Sequence, residues 1–435
     1  MKKPFKVLGA WWILSVILMF GCRLSLVSQG WMAWLATVTP TPTATATVTP
    51  TPTVSPTPTW TPTPLPYQGE VHIAHLLPLT GPFPDIGQIA QQVAQLWRDS
   101  HQGVLTLGDA QYQIVLHFED TGLDPDQARE AALRSGQVPI LGVIGPYGTV
   151  PALQAASWFE VRRIPVLLPW TTYPEITSKK RYVFRVNVDD ELLAQALLLW
   201  ARKMKAQRLG ILVEEGSSFS EVFGERLIVQ AEQWGFRTLV STFSDEDPSS
   251  RVRALRQLKS QGPDVFLWPV YPDRVRKLLP LIGTLHLTQP VLGLDVWEDP
   301  LLHSCLACQT LAFMTPWLGN ERVRPDTPEG KTFVDLYQQY IGGYPNQIAF
   351  LTWEAYQILT QALQQCAPLQ GHLTQDRACI RALLETETFT GLTGPVRFNA
   401  DGDALRCLWV ITWDEQGYWT KEGELCLAQE EAINP

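Results

Sequence analysis

From residue 70 onward the apolar positions of this chain switch between two periods. Val71–Leu77, Tyr112–Phe118 and Ile140–Ile144 are short apolar runs of strand length. Between the first two, Ile86, Ile89, Ala90, Val93 and Trp97 recur at the spacing of one helix face, which predicts a helix over Ile86–Trp97. Pro125–Leu133 reads as a second helix with Asp124 as its N-cap, and 151–161 as a third, followed by a strand at 164–168. The pattern then resumes. Helices are expected at Glu191–Met204, Phe219–Trp234, 249–260 and 273–285, and strands at Arg208–Val213, Phe236–Phe243, Val265–Val270 and Val291–Leu294. Strict β–α alternation predicts parallel strands with helices on both faces. It runs too long for one small sheet, so the expected fold class is α/β, with two doubly wound, Rossmann-like sheets and hence two lobes.

Two segments of another kind precede this pattern. Lys2, Lys3 and Lys6 lead into the apolar run Val7–Phe20, which ends in Gly21-Cys22. A basic start, a short apolar core and a small residue before cysteine resemble the processing site of bacterial lipoproteins, with Cys22 as the lipidated residue and 1–22 as the signal segment. The competing reading is an uncleaved signal anchor extended through 24–36. Both export the remainder and hold it at the outer face of a membrane. Residues 37–66 place proline at nearly every second or third position, which removes backbone donors and forbids helix and sheet. Residues 23–67 are therefore an extended tether between the anchor and a folded body.

Composition narrows the picture in two ways. The 435 residues carry a formal net charge of −9, which argues against nucleic acid as partner. Seven cysteines leave six once Cys22 is set aside, an even number in an exported chain. Cys366 is expected to pair with Cys379, and Cys407 with Cys426 across a hairpin turning at Asp414–Gly417. Cys305 and Cys308 then form a local disulfide, since no second CxxC or nearby histidine pair completes a metal site.

In sheets of this kind ligands sit beyond the carboxyl ends of the strands. Those ends carry PLTGPFPDIG, GPYGTV, PWTTYPE, EEGSSFSE, YPD and Asp295-Val296-Trp297. Hydroxyls, aromatic rings and one acid dominate. No Walker sequence is present, and no GxGxxG follows the first strand, so phosphates and dinucleotides are poorly supported. No GxSxG elbow, HExxH spacing or nucleophilic cysteine context occurs, so neither an enzyme nor a cofactor is expected. Glu214-Glu215 reads as a solvated pair.

LLPLTGP (76–82), DPDQAREAA (124–132), VIGPYGT (143–149), PVLLPWTTYPEIT (165–177) and FTGLTGPVRFNADGD (389–403) together resemble the type I periplasmic binding proteins of the leucine/isoleucine/valine-binding group, the solute receptors of ABC importers. The resemblance implies two lobes, 68–188 with 317–405 and 189–316 with 406–435. It implies three crossings between them, near Val188–Asp190, Thr315–Trp317 and Arg406–Leu408, and a monomer whose lobes close over a solute. By position it implies that Thr149 and the start of the next helix hold a ligand carboxylate. Trp170 and Thr172 come from the following loop, Phe219 and Tyr271 from the second lobe, and Asp295 pairs with a ligand ammonium. Ile86, Trp170 and Phe219, with Trp297 as a further candidate, imply a greasy wall suited to a branched-chain, other hydrophobic or amide-bearing solute. An ABC permease is the implied partner. Two alternatives stay open: a sensory module working through a separate signalling protein, and a ligandless surface adaptor.

Overall fold

The computed structural model describes residues 67–299 and 301–426. Cys22, the apolar run, the tether and the last residues of the second expected lobe lie outside them. Among the described residues no helix is long and apolar enough to cross a membrane.

The first lobe opens with β1 (Tyr67–Leu77), α1 (Pro84–Ser100), β2 (Val104–Leu107), β3 (Ala110–Asp120), α2 (Pro125–Ser135), β4 (Ile140–Ile144), α3 (Thr149–Val161), β5 (Val166–Leu168) and β6 (Val183–Arg185). Its sheet runs β2-β3-β1-β4-β5-β6, parallel except for the β2–β3 hairpin. Sequence periodicity alone misses β2, a four-residue edge strand that returns through a tight turn at Gly108. Both sheet faces are covered, as parallel strands require. Val71, Ile73 and Leu77 pack with α1 in one apolar cluster. Ala74 and Leu76 pack with Ala131, Ala132, Ala152 and Ala155 in another, where small side chains let α2 and α3 approach the sheet.

The second lobe begins with α4 (Asp190–Lys203), β7 (Arg208–Glu215), α5 (Ser218–Gln233), β8 (Arg237–Ser244), α6 (Pro248–Gln261), β9 (Val265–Leu267), α7 (Pro272–Thr284), β10 (Val291–Gly293) and β11 (Leu311–Thr315). The chain then returns to the first lobe for α8 (Pro328–Tyr340), α9 (Gln347–Gln365), α10 (Leu373–Thr386) and a small sheet of β12 (Thr388–Thr390), β13 (Pro395–Phe398) and β14 (Ala404–Leu405). It ends in the second lobe as the hairpin β15 (Cys407–Trp413) and β16 (Trp419–Cys426), giving the order β16-β15-β11-β10-β9-β7-β8. Disulfides join Cys305 to Cys308, Cys366 to Cys379, and Cys407 to Cys426. β9 is shorter than its apolar run because the Val270 N–H turns back to the Trp268 carbonyl. Glu214 is not solvated: it is buried at the end of β7 and accepts from Arg274 Nε at 2.7 Å.

The chain passes between lobes three times: after β6, after β11 and at Arg406, between β14 and β15. A buried arginine sits at two of these passages. Arg406 pairs with Glu354 of α9, and both side chains are almost wholly excluded from solvent. Its Nη2 also donates to Thr393 Oγ1 at 3.0 Å, and Nη1 to the Val186 carbonyl at 3.3 Å. Glu354 Oε1 accepts the Leu392 N–H at 2.9 Å. A Cβ on Gly391 would stand 2.7 Å from that same oxygen, which is why the loop before β13 carries glycine there.

Removing one partner of such a pair strands a charge in a dry interior. Glu354→Ala should therefore lower unfolding free energy by roughly 3–5 kcal/mol, read from urea denaturation. The double replacement Glu354→Met with Arg406→Met should recover most of that loss. A single-variant loss within about 0.5 kcal/mol would show that the pair is not what fixes the crossings.

Candidate functional site

The carboxyl ends of β4, β5, β7, β9 and β10 converge on one cavity of about 550 Å³ between the lobes. This is where strand order reverses in each sheet, β1/β4 in the first and β7/β9 in the second, and the loops splay apart.

On the first lobe the cavity is closed by the start of α3. Gly148 is the N-cap, with φ +87°, a conformation L side chains avoid, and a Cβ there would meet Leu123 Cδ1 at 2.5 Å. Gly148 offers no side-chain cap, Pro151 has no N–H, and the Ala152 N–H bonds the Gly148 carbonyl. The first-turn amides left for another acceptor are those of Thr149 and Val150. Both Gly148 and Thr149 line the cavity, so a helix N-terminus faces it, a favourable seat for an anion. Next to it, Trp170 stacks on His75 at 5.8 Å between centroids and donates Nε1–H to the Ile348 carbonyl at 3.3 Å. Burial holds His75 neutral, its pKa lowered to about 3.

The second lobe supplies rings and acids. Phe219 and Tyr271 lie 4.8 Å apart between centroids. Asp295 follows β10 and is buried, and its Oδ2 accepts from Gln347 Nε2 of α9 at 3.0 Å, a contact from one lobe to the other. Burial raises the pKa of Asp295, opposed by hydrogen bonds from Gln347 and Asn187. Asp190, the first residue of α4, lines the same cavity. Burial pushes its pKa up to about 7, with a further upward push from Asp295, against a hydrogen bond from the Thr172 side chain. Among the described residues lining the cavity there is no lysine, arginine or histidine. Across the cleft mouth Arg226 of α5 pairs with Glu175 at 2.9 Å, and its guanidinium lies 5.6 Å from the Tyr173 ring.

Thr149, Trp170, Thr172, Phe219, Tyr271 and Asp295 thus all line one cavity. Three details differ from the sequence reading. The third helix starts at Thr149, not Pro151. Thr172 turns its side chain to Asp190, and its carbonyl accepts from the Asp190 N–H and from Arg185 Nη1, so its hydroxyl is already engaged. The greasy wall has other members than expected, among them Leu193, Val222, Phe223, Val296, Ile348 and Leu351. Ile86 is not among the lining residues, and Trp297 is core, with no exposed surface and its Nε1–H donated to the Val270 carbonyl. Asp190, Asn187, Tyr147 and Gln347 are lining residues that sequence reasoning missed. A signal existed for Asp190. Asp189 already caps α4 by accepting the Leu192 N–H at 2.6 Å, which leaves the second aspartate without a capping duty.

Two α/β lobes around a lined cleft are the architecture of the type I periplasmic binding proteins. Residues 70–418 match the periplasmic binding protein family, and the chain belongs to it; that family comprises solute-binding proteins rather than enzymes. No curated protein matches the sequence. In fold the chain is similar to a leucine-binding protein, LivK, from Thermotoga maritima, at 21% identity and TM-score 0.63, over 82% of this chain and 99% of that one. It is also similar to LivJ of Streptococcus pneumoniae in complex with isoleucine, at 17% identity and TM-score 0.62, over 82% and 99%. A solute-binding protein of R. palustris in complex with benzoate matches at 17% identity and TM-score 0.62, over 82% and 97%.

An acid whose folded pKa lies above its unfolded value disfavours folding once ionised. For Asp190 that penalty is absent below the ordinary value of 3.8, grows as pH rises, and levels off above about 7. Asp190→Asn should therefore be more stable than the parent at pH 8, by up to about 4 kcal/mol, with the gap closing toward pH 4. Urea unfolding across this range checks it; a gap independent of pH would mean that Asp190 ionises freely.

Proposed function

We propose that this chain is the extracytoplasmic solute receptor of an ABC importer, held at the outer membrane face by lipidated Cys22 and the Thr/Pro-rich tether, and that it delivers an amino acid to a membrane permease. The lobes, 68–188 with 317–405 and 189–316 with 406–435, close around the solute as two bodies. The reading is carried by one observation: an acid without a cationic partner in the cavity wall, Asp295, shares that cavity with the start of α3 on the other lobe. A ligand with an ammonium at one end and a carboxylate at the other satisfies both, and contacts with both lobes are what closure requires. In this reading the carboxylate takes the Thr149 and Val150 amides and the ammonium takes Asp295, while Trp170, Phe219 and Tyr271 shape the space between. A solute bearing only a carboxylate, like the benzoate of the R. palustris protein, would bring a second negative charge beside buried acids. Leu193, Val222, Phe223, Ile348 and Leu351 keep much of the wall apolar beside these acids, as a solute with an aliphatic stem would need.

Titration calorimetry of the chain against a panel of amino acids and small amides tests the proposal. For a solute that binds, Asp295→Ala should weaken affinity by roughly 2–5 kcal/mol, because it removes the partner of a buried ammonium. Unchanged affinity would take Asp295 out of the site, and a panel without any binder would return the chain to the adaptor reading.

A further inference from the structure

The charge balance of the cavity points further. Asp295 alone would answer the ammonium of an ordinary amino acid, yet Asp190 lines the same space and is equally excluded from solvent. Two nearby guanidinium groups, Arg185 and Arg226, attract it without forming an ion pair with it. Arg185 is committed to the Thr172 and Tyr173 carbonyls, at 2.8 and 2.7 Å, and to Asp403, while Arg226 is committed to Glu175. Neither lines the cavity. A separate feature of the same wall marks it as a place for a polar guest. The Thr171 hydroxyl, on a side chain 3% exposed that lines the cavity, has no hydrogen-bond partner. An orphaned buried hydroxyl costs stability unless something fills its valence. Tyr147, Tyr173 and Tyr271 line the same space, and the Tyr173 ring already has a guanidinium, that of Arg226, at 5.6 Å, a contact of the kind a cationic guest can make.

We infer that the cavity takes a solute with a second positive group besides its α-ammonium, a diamino acid by class, and that Asp190 is the residue that selects it. This rests on the amino-acid reading above. Asp295 holds one ammonium and Asp190 the other, so the closed cleft contains no unbalanced carboxylate.

Lysine and norleucine differ at the end of the side chain, ammonium against methyl, and make the test. Calorimetry of the full chain in detergent at pH 8 should find lysine bound at least about tenfold more tightly than norleucine. Asp190→Asn should bring that ratio to about threefold or less. If Asp190→Asn does not fold, Asp190→Ser serves, and the parent comparison decides without either. Norleucine binding as well as or better than lysine would overturn the inference, because both acids would then share one ammonium, and would leave the amino-acid receptor intact. An unchanged ratio in the folded variant would remove Asp190 as the selector. If lysine, ornithine and norleucine all fail to bind while another amino acid of the panel binds, this inference falls and the receptor reading stands; if no amino acid binds, both fall.

Discussion

Arg185 is the residue on which the cleft depends. It ends β6 at the first crossing, and its guanidinium is fully buried. It holds the carbonyls of Thr172 and Tyr173 on one side and the Asp403 carboxyl on the other, with Nε 3.4 Å from Oδ1. The first of these fixes the loop that lines the cavity, and the second ties the first crossing to the segment leading into the third. A neutral residue of the same size would leave two carbonyls and a carboxyl to find other donors in a dry place. Burial raises the pKa of Asp403 despite the opposing pull of Arg185, so even this contact is not fully compensated. The arginine is better understood as fixing geometry than as adding stability.

Seen this way, the most distinctive run in the sequence is hinge architecture. In FTGLTGPVRFNADGD, Gly391 makes room for Glu354, Thr393 accepts from Arg406, and Asn399 accepts the Asp401 and Asp403 N–H groups at 3.0 and 2.9 Å. That turn delivers Asp403 to Arg185 and to Thr177, whose hydroxyl donates to it at 2.9 Å. None of these residues lines the cavity. LLPLTGP behaves alike: Asp120 accepts from the Leu79 and Thr80 amides and the Thr80 hydroxyl, which sets a turn and not a ligand contact.

The lobes were legible because parallel strands buried on both faces leave apolar runs that turn residues bound sharply. Residues at strand ends were legible for a related reason, since topology dictates where the loops after β4, β5, β9 and β10 must meet. What escaped were side chains whose role is set by a partner far away in sequence. Gln347 is the first residue of α9, a helix the periodicity did not single out, and only its place opposite the second lobe makes it a donor to Asp295, 52 positions earlier. Trp297 failed in the opposite sense. It sits beside a true cavity residue, but Gly293 lets its ring fold inward over β10, where a Cβ would meet the ring at 2.3 Å. Adjacency in sequence could not separate a wall from a core.

The contacts that cross the cleft bear on how it moves. Gln347 reaches Asp295, and Arg226 reaches Glu175, whose side chain is 52% exposed. An exposed pair of that kind contributes about 0–1 kcal/mol, too little to hold two lobes shut. The Gln347 bond is better shielded, yet it spends a lone pair of the same acid that a ligand ammonium would use. A solute therefore competes with one interlobe contact while adding others, and net closure depends on what it gives both lobes beyond that exchange. Asp190 and Asp295 share a cavity wall whose described lining residues include no lysine, arginine or histidine, so positive charge on a solute is the complement those two acids leave open.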